Sequence, residues 1–300
     1  MNTYKFFENM DVGDLLVDEP MKKHTSFKIG GPCDLMIIPK DSNQILTALK
    51  IIKDKDLSYR VIGNGSNILV SDKGLREVVI KLNDNFNKIE VAGDLIRAQA
   101  GALLSKVSST ATKNSLSGFE EISGIPGGIG GAITMNAGAY GKEIKDTISR
   151  VEIINSKLER EVVDKEQMDF SYRHSRIQDE DIIVLSADFK LAKADPEDIQ
   201  ARVDDYTQRR VSKQPLDLPS CGSIFKRPEG HFAGKLITDA GLKGYRYNDA
   251  MVSEKHAGFI VNVGDASCED VVHVIKHVIE VVYEKFEVRL EPEVRIIGEG

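Results

Sequence analysis

The segment from Gly118 to Gly141, GFEEISGIPGGIGGAITMNAGAYG, restricts the fold of this 300-residue chain more than any other part of its sequence. It holds eight glycines in 24 residues, together with isoleucines and a methionine. Glycine costs conformational entropy on folding, so an ordered segment this rich in glycine usually lets the backbone approach another group closely. A flexible linker would be rich in Ser and poor in Ile. The glycine segment therefore favours a cradle for a large phosphate-bearing cofactor over a purely structural turn packed on a sheet.

The composition is that of an ordinary globular protein and excludes some function classes. With 41% hydrophobic and 29% charged residues, the chain can bury a large core and has room for about two or three domains. A net charge of −7 argues against general nucleic-acid binding, although a local cluster of Arg and Lys can still bind a small anion. No apolar run approaches the roughly 20 residues that span a bilayer.

The N-terminal sequence and the cysteines predict a cytoplasmic protein. The opening MNTYKFFENMDVGDLL lacks the basic region and apolar core of a secretory signal. Cys33, Cys221 and Cys268 are odd in number, widely spaced and without a metal-type pair, which suits a reducing compartment.

The first 82 residues are predicted to form a small α/β subdomain after a helical lead-in over residues 1–20. LMII before Pro39 is typical of a short buried strand. Residues 41–54 show helical periodicity, with Asp41 or Ser42 as the cap. The apolar face of that helix comprises Ile45, Leu46, Leu49 and Ile52. YRVI, ILVSD and LREVVIKL follow as strands, the first two separated by a Gly-Asn-Gly-Ser turn.

An α+β unit with a mainly antiparallel sheet is predicted next, between residues 88 and 192. One helix, LLSKVSSTATKNS, lies among segments that alternate apolar and polar residues. These predicted strands are KIEVAG, LIRAQAGA, RVEIINS, REVVD and DIIVLSADFKL.

The last third of the chain is predicted to be a separate α+β domain. Asp195 followed by Pro196 indicates a helix start after a linker. A short helix near 232–240, the strand HAGFIVNV and a long helix follow, and Ser267 with Asp270 forms a capping box for the long helix. A terminal strand, EVRLEPEVRIIG, completes it. The predicted domains are residues 1–82, 83–194 and 195–300.

GNGSN at residues 63–67 only partly matches a dinucleotide-binding fingerprint. Ile68 stands where the third glycine belongs, and no long helix follows. A loop that offers backbone amides and the Ser66 hydroxyl to a pyrophosphate needs no helix. Two separate glycine-rich loops fit a long anionic ligand that spans a cleft, and FAD has that length and charge.

Two further segments carry candidate chemistry. In SYRHS, Arg173 offers a planar fork for a carboxylate or phosphate, although a lone Arg is more often a surface ion-pair residue. In RRVSKQPLDLPSCGSIFKRPEG, three prolines restrict a basic turn around Ser223. The segment has no GxSxG elbow and no assignable His–Asp pair, which argues against an acyl-transfer serine. Two interpretations stay open: Ser223 donates a proton inside a positive pocket, or the segment is a structural turn whose basic residues face solvent.

The remaining candidates favour plain interpretations. Glu291 and Glu293 share one face of the predicted terminal strand, opposite Leu290, Val294 and Ile296, where one carboxylate can point into a cleft or both can face solvent. His273 and His277 have metal-ligand spacing on a helix, but no third ligand is evident, so an exposed helix face is favoured. No thiolate-activating partner is evident for Cys221.

The chain resembles the UDP-N-acetylenolpyruvoylglucosamine reductase family, flavoenzymes of peptidoglycan precursor synthesis. IGNGSNILV, SGIPGGIGGAITMNAGAYG, YRHS, PSCGSIFKRP and LEPEVRIIG occur in that family's order and approximate spacing, and the resemblance extends over residues 20–298. It implies an α+β fold, with an FAD-binding domain of the vanillyl-alcohol-oxidase (PCMH) type built from two α/β subdomains and a C-terminal α+β substrate domain. The chain lacks the substrate-covering insertion of the family's first type and so looks like the shorter second type.

The resemblance also implies site residues. Arg173, Ser223 and Glu293 match the catalytic positions, and Lys213 and Lys226 are expected to bind substrate. The residues expected to hold FAD are Gly63, Asn64, Gly65, Ser66, Asn67, Gly124, Pro126, Gly127, Gly128, Gly130, Gly131, Ala132, Asn136, Ala137 and Gly138. No metal is expected.

The implied reaction is ping-pong reduction of UDP-N-acetylglucosamine enolpyruvate by FAD and NADPH. Arg173, with a protonated Glu293, stabilises the enolate-like state, Ser223 protonates the adjacent carbon, and Lys213 assists the phosphates or polarises the serine. Partners other than these small molecules are not expected: no nucleic acid, no membrane insertion, and a monomeric or weakly self-associating chain. An oxygen-using flavin oxidase and a non-catalytic flavin- or nucleotide-binding module are the alternatives.

Overall fold

Short strands alternate with six helices in the structure, a computed structural model that describes residues 3–298. The helices are α1 (Ser42–Asp54), α2 (Leu104–Lys113), α3 (Ile129–Thr134), α4 (Pro196–Lys213), α5 (Ala233–Asp239) and α6 (Cys268–Phe286). The strands are β1 (Asp14–Pro20), β2 (Pro32–Ile38), β3 (Tyr59–Ile62), β4 (Ile68–Val70), β5 (Leu75–Lys81), β6 (Ile89–Ala92), β7 (Leu95–Gln99), β8 (Leu116–Ser117), β9 (Gly138–Ala139), β10 (Lys142–Glu143), β11 (Ile148–Ile154), β12 (Arg160–Asp164), β13 (Ile183–Lys190), β14 (Ala192–Lys193), β15 (Arg246–Tyr247), β16 (Ala250–Val252), β17 (Ile260–Asn262) and β18 (Arg295–Ile297).

The first of two compact units comprises residues 3–17, 35–64 and 77–210. Its largest sheet is antiparallel, with strand order β12-β11-β13-β7-β6, which confirms the sheet predicted between residues 88 and 192. The central strand β13 is buried over all but its last residue. Phe189 on that strand packs edge-to-face on Phe119, with ring centroids 5.1 Å apart, so one core lies behind this sheet.

Helix α1 of the same unit follows its sequence pattern. The Asp41 carboxylate accepts the backbone N–H groups of Asn43 and Gln44 at 2.8 and 3.0 Å, so Asp41 is the cap. Ile45, Leu49 and Ile52 are buried, as predicted, and Leu46 is half-buried beside them.

The second unit comprises residues 18–34, 65–76 and 211–298 and has its own core. Helix α6 packs on the small sheet β15-β16-β17, and β18 pairs in parallel with β4. The predicted capping box is confirmed, since Asp270 N–H donates to Ser267 Oγ at 3.1 Å and Ser267 N–H donates to the Asp270 carboxylate at 2.9 Å. The Asp72 carboxylate accepts the next backbone amide, of Cys268, at 2.8 Å. The predicted domain boundaries near residues 82 and 194 stay a prediction.

Two sequence predictions are wrong at the ends of the chain. The helical lead-in is only a 3-10 turn at Thr3–Phe6, and strand β1 follows. A helix cannot continue through Gly13, because this residue has φ +99° and a side chain there would overlap the Ile38 carbonyl oxygen. The terminal strand is regular only over Arg295–Ile297. Ile296 is 48% exposed and so does not share a buried face with Leu290 and Val294.

Candidate functional site

The glycine segment packs through its backbone against residues 100–102. Ile129 N–H donates to the Ala102 carbonyl at 2.9 Å, and Gly130 N–H donates to the Ala100 carbonyl at 2.8 Å. A β-carbon at Gly128 would lie 3.0 Å from the Ala100 carbonyl oxygen, and one at Gly130 would lie 3.1 Å from the Ala100 methyl carbon. Packing therefore accounts for these two glycines. The short helix α3, which begins at this contact, was not predicted because its glycines have low helix propensity.

Gly131 and Gly63 have no such packing requirement. A β-carbon at Gly131 would meet no atom within 4 Å, and one at Gly63 would meet only the Leu82 carbonyl oxygen, at 3.9 Å. Neither residue has a left-handed φ. By contrast, Gly65 has φ +61°, and a side chain there would overlap the His24 carbonyl oxygen. The fold thus requires Gly65, whereas Gly63 and Gly131 leave open space beside the backbone that a bound group can fill.

Two desolvated polar groups of the first unit, a guanidinium and an amide oxygen, lack partners among the described residues of the kind that a ligand can supply. The Arg210 side chain on α4 packs against Gly124, where a β-carbon would lie 2.9 Å from Arg210 Cδ. Burial lowers the pKa of the Arg210 guanidinium. Within residues 3–298 Arg210 has no acidic partner. The buried Oδ1 of Asn83 likewise has no hydrogen-bond donor in that range. A desolvated cation and an unsatisfied acceptor fit a ligand that carries both negative charge and hydrogen-bond donors.

Arg173 is anchored at the C-terminal end of the glycine segment. Its Nη2 donates to the Gly138 carbonyl at 3.2 Å. The rest of its loop is bonded to the same segment, because the Thr134 carbonyl accepts Ser175 Oγ at 2.9 Å and Gln178 Nε2 at 2.7 Å. A predicted catalytic residue and the predicted cofactor segment therefore form one structure within this unit.

The backbone of Arg173 is in the left-handed region, with φ +57°. This conformation costs a non-glycine residue about 1–2 kcal/mol. Gln178 holds it by donating from Nε2 to the Arg173 carbonyl at 3.0 Å, and the half-buried guanidinium lies 5.1 Å from the Tyr172 ring centroid. Strain at a charged, half-buried residue is typical of a functional position.

Asn136, a predicted cofactor residue, is buried and bonded within the protein. Both of its amide hydrogens are used, by the Glu143 carboxylate at 3.0 Å and the Ser171 carbonyl at 2.9 Å. Its Oδ1 accepts the Lys145 N–H at 3.2 Å. The side chain of Asn136 thus joins the glycine segment to its neighbours, and its backbone N–H is also engaged, donating to the Ile133 carbonyl at 3.1 Å.

The second unit brings Ser223 and Glu293 onto neighbouring segments. Glu293 N–H donates to the Ile224 carbonyl at 2.7 Å. The Asn67 side chain, at the end of the GNGSN loop, donates to the Glu293 carbonyl at 3.3 Å. Three separate motifs of the sequence therefore adjoin at this point.

The Ser223 hydroxyl is only weakly engaged. Its Oγ lies 3.4 Å from the Phe225 carbonyl oxygen and 3.5 Å from that of Gly258, at the long end of hydrogen-bond distances. Such a hydroxyl keeps its proton available for another acceptor.

The two glutamates of the terminal segment have different surroundings. Glu291 is exposed, and its carboxylate pairs with Lys226 Nζ at 3.2 Å. Glu293 is half-buried beside the serine turn. The interpretation as two solvent-facing carboxylates therefore holds for Glu291 alone. Because exposed ion pairs contribute at most about 1 kcal/mol, Lys226 is readily released to another anion.

Arg173 lies in the first unit, whereas Ser223, Glu293, Lys226 and the exposed Lys213 lie in the second. His256, a residue that no sequence motif indicated, also lies in the second unit. A β-carbon at Gly258 would lie 3.0 Å from His256 Cε1 and 3.4 Å from Ser223 Oγ. The signal in the sequence was a histidine followed by two small residues just before a strand.

The histidine pair on α6 is explained by packing. His273 stacks on Tyr247 and His277 on Tyr245, with ring centroids 3.7 and 4.0 Å apart. Across residues 3–298, no group of three or more His, Cys, Asp or Glu side chains is placed to hold a metal ion.

Comparisons with known proteins cover nearly the whole chain. The family model for the UDP-N-acetylenolpyruvoylglucosamine reductase C-terminal domain matches residues 214–297, and that for an FAD binding domain matches residues 33–159. The UDP-N-acetylenolpyruvoylglucosamine reductase of Alkaliphilus oremlandii is 51% identical over 300 residues, which cover 100% of this chain and 99% of the relative. The chain belongs to this family. The reductase of Clostridioides difficile is 48% identical, with 95% of this chain and 94% of the relative covered.

A solved structure agrees with this family assignment. The crystal structure of the reductase (MurB) from Thermus caldophilus superposes with a TM-score of 0.82 at 33% identity, covering 95% of this chain and 98% of that chain. The predicted fold class is confirmed. The enzyme is a flavin-dependent oxidoreductase, as predicted. FAD would also fit the observed features, because it carries both the negative charge that the desolvated Arg210 can pair with and hydrogen-bond donors that Asn83 Oδ1 can accept.

Replacing Gly131 by leucine is expected to remove FAD without unfolding the protein. The side chain would fill open space at an exposed position of α3. Leucine is also more favourable than glycine within a helix, by up to about 1 kcal/mol. Flavin absorbance relative to protein absorbance, together with the melting temperature of the apoprotein, measures both effects. Gly130→Leu is the matched comparison, since its side chain would meet Ala100 and destabilise the fold. Full flavin content in the Gly131 variant would contradict the cradle.

The three cysteines are expected to be inert in the native enzyme. Burial raises the pKa of Cys33 to about 11 and that of Cys268 to about 12, and it also raises the pKa of the Cys221 thiol. At pH 8 the thiolate fraction of Cys33 is therefore about a thousandth. A thiol reagent should label no cysteine before unfolding and three afterwards. Rapid labelling of Cys221 in the native state would give it a chemical role.

Proposed function

We propose that this enzyme reduces UDP-N-acetylglucosamine enolpyruvate to UDP-N-acetylmuramate with NADPH as the hydride donor. The reaction consumes one NADPH and one proton and saturates the enolpyruvyl double bond. The observation that carries the proposal is the strained, half-buried Arg173, anchored to the glycine segment in a chain that belongs to the reductase family over its full length. A fixed guanidinium beside a flavin cradle suits a substrate whose reacting carbon is conjugated to a carboxylate.

FAD is proposed to lie on two glycine-rich loops. The GNGSN loop and the segment from Gly124 to Gly138 would hold it through backbone amides and the space at Gly63 and Gly131. Bound FAD supplies the two-electron chemistry that links NADPH oxidation to reduction of the enolpyruvyl group.

The protein residues are proposed to manage charge and protons on the substrate. Arg173 and a protonated Glu293 stabilise the negative charge that develops on the substrate carboxylate after hydride addition. Ser223 donates its hydroxyl proton to the adjacent carbon and regains from solvent the one proton that the reaction consumes, a role that suits its weak engagement with carbonyl groups. Lys213 and Lys226 bind the anionic UDP moiety, and Lys226 exchanges Glu291 for a phosphate.

The cellular setting follows from this reaction. UDP-N-acetylmuramate is a peptidoglycan precursor, so the enzyme is proposed to act in the cytoplasm and to support cell shape and division. Within the described residues no helix has the length and apolar character to span a membrane. The enzyme is proposed to work as a monomer or a weak oligomer on two small-molecule substrates.

Anaerobic stopped-flow absorbance of the purified protein tests the proposal. Reduction by NADPH should bleach the flavin, and UDP-N-acetylglucosamine enolpyruvate should restore its colour. Colour that returns only with oxygen would make the protein an oxidase. Retained flavin that NADPH does not reduce would make it a binding module.

A further inference from the structure

The His256 ring is held in one orientation by its neighbours. Its Nδ1 accepts the Gly258 N–H at 3.1 Å, and the ring packs edge-to-face on Phe259, with centroids 5.0 Å apart at 71°. Room for it comes from two glycines, because a β-carbon would lie 3.2 Å from Cε1 at Gly234 and 3.0 Å at Gly258. The hydrogen bond at Nδ1 requires an unprotonated nitrogen there, so the neutral ring carries its proton on Nε2.

Gly258 links this ring to the serine turn. Its carbonyl accepts the Ile224 N–H at 2.8 Å, and Ser223 forms an antiparallel bridge with Phe259. The Ser223 hydroxyl lies 3.5 Å from the same Gly258 carbonyl oxygen. Gly258 therefore bonds to His256 through its N–H and to the serine turn through its carbonyl.

The surroundings of His256 keep it neutral. Burial lowers its pKa below the ordinary 6.5, a backbone hydrogen bond of His256 partly opposes this, and the positive charges of Lys243 and Lys213 lower the pKa further.

Two other lysines nearby are engaged elsewhere. Lys235 on α5 pairs with Asp239 at 2.7 Å, and Lys255 in the same loop donates to the Val211 carbonyl at 2.7 Å. Glu254, also in that loop, lies against Gly244.

We propose that neutral His256 is a positioning residue for Ser223: by accepting the Gly258 N–H it fixes the backbone that carries the serine turn, and protonation of the ring releases that turn. The inference rests on the proposed function for its catalytic consequence, whereas its structural part does not depend on any activity. Acid should therefore slow proton donation to the substrate. The ring binds no proton in the native state until the pH falls through its lowered pKa, so the Gly258 hydrogen bond persists at pH 6.5 and above and is lost only as the pH falls through that lower value.

Three substitutions separate the two ring nitrogens. In His256→Asn the side-chain oxygen can accept the amide two residues on, as Asn does in turns, so it replaces Nδ1. In His256→Gln the longer amide replaces Nε2 instead, and His256→Leu replaces neither. Stopped-flow measurement should show the NADPH half-reaction unchanged in all three. Reoxidation by the UDP-sugar should stay near the wild-type rate in the Asn variant and fall about tenfold, the value of one lost hydrogen bond, in the Gln and Leu variants.

A pH profile and hydrogen exchange complete the test. The acid limb of reoxidation that belongs to His256 should disappear in the Asn variant, which a merely structural role would not change. Amides of residues 223–225, followed by mass spectrometry in the FAD-bound enzyme, should exchange faster in the Leu variant and stay protected in the Asn variant. Rescue by Gln instead of Asn would overturn the proposal in favour of a direct contact from Nε2. Equal protection in the Leu variant and the wild type would overturn it even if the protein proved not to be this reductase.

Discussion

Ser223→Ala is expected to leave flavin reduction by NADPH intact and to slow reoxidation by UDP-N-acetylglucosamine enolpyruvate by about 10²–10⁴-fold, the usual range for a lost general acid. The substitution removes the only atom that differs between the two side chains, a hydroxyl whose protein contacts are 3.4 and 3.5 Å long. Because those contacts are weak, the free energy of unfolding should fall by less than about 1 kcal/mol. Rapid mixing of each half-reaction separately gives both rates from one protein preparation.

Ser220→Ala is the matched control. Ser220 lies three residues earlier in the same turn, and the structure uses its backbone carbonyl, which accepts Ser26 Oγ at 2.7 Å. Its variant should show wild-type rates in both half-reactions. If Ser223→Ala slowed both half-reactions equally, Ser223 would be a residue of the flavin site or of the fold and not the proton donor.

Local sequence rules predicted the elements whose physics is local. The helix capped by Asp41, the capping box of Ser267 with Asp270, and the alternating strands of the antiparallel sheet all occur where cap residues or hydrophobic periodicity placed them. In each of these elements capping, periodicity and burial favour the same structure. The glycine segment approaches other backbone closely, as its composition indicated, since Gly128 and Gly130 pack on residue 100, whereas its role as a cofactor cradle stays a prediction.

Long-range contacts explain what the sequence did not reveal. The carbonyl of Ile38 fixes Gly13, and thereby the strand that replaces the predicted lead-in helix. Helix α3 exists because residues 100–102 accept its first amides, which overrides the low propensity of its glycines. His256 is linked to Ser223 through Gly258, which donates its N–H to the ring and lies against the serine hydroxyl. None of these pairs is visible as a spacing along the chain.

Arg173→Gln is expected to slow reoxidation by the UDP-sugar by about 10²–10³-fold, the effect of removing one donor from developing charge. Flavin reduction by NADPH should be unchanged, because the substrate carboxylate takes no part in it. Arg173→Lys keeps the charge but loses the planar fork, so its rate should lie between those of Gln and wild type. All three side chains share the backbone cost of φ +57°, so the rates compare head groups and not folds.

Arg176→Gln provides the control within the same loop, because its guanidinium is engaged within the protein, pairing with Glu180 at 2.8 Å and donating to the Gln167 carbonyl at 3.3 Å. Wild-type rates are expected for it. Arg173→Gly addresses the strain directly: glycine adopts φ +57° without steric cost, so this variant should melt no lower than Arg173→Gln while reoxidising as slowly. A stable but slow glycine variant would mean that the left-handed backbone is retained to aim the guanidinium. Slow flavin reduction in Arg173→Gln would instead place Arg173 in the cofactor site alone.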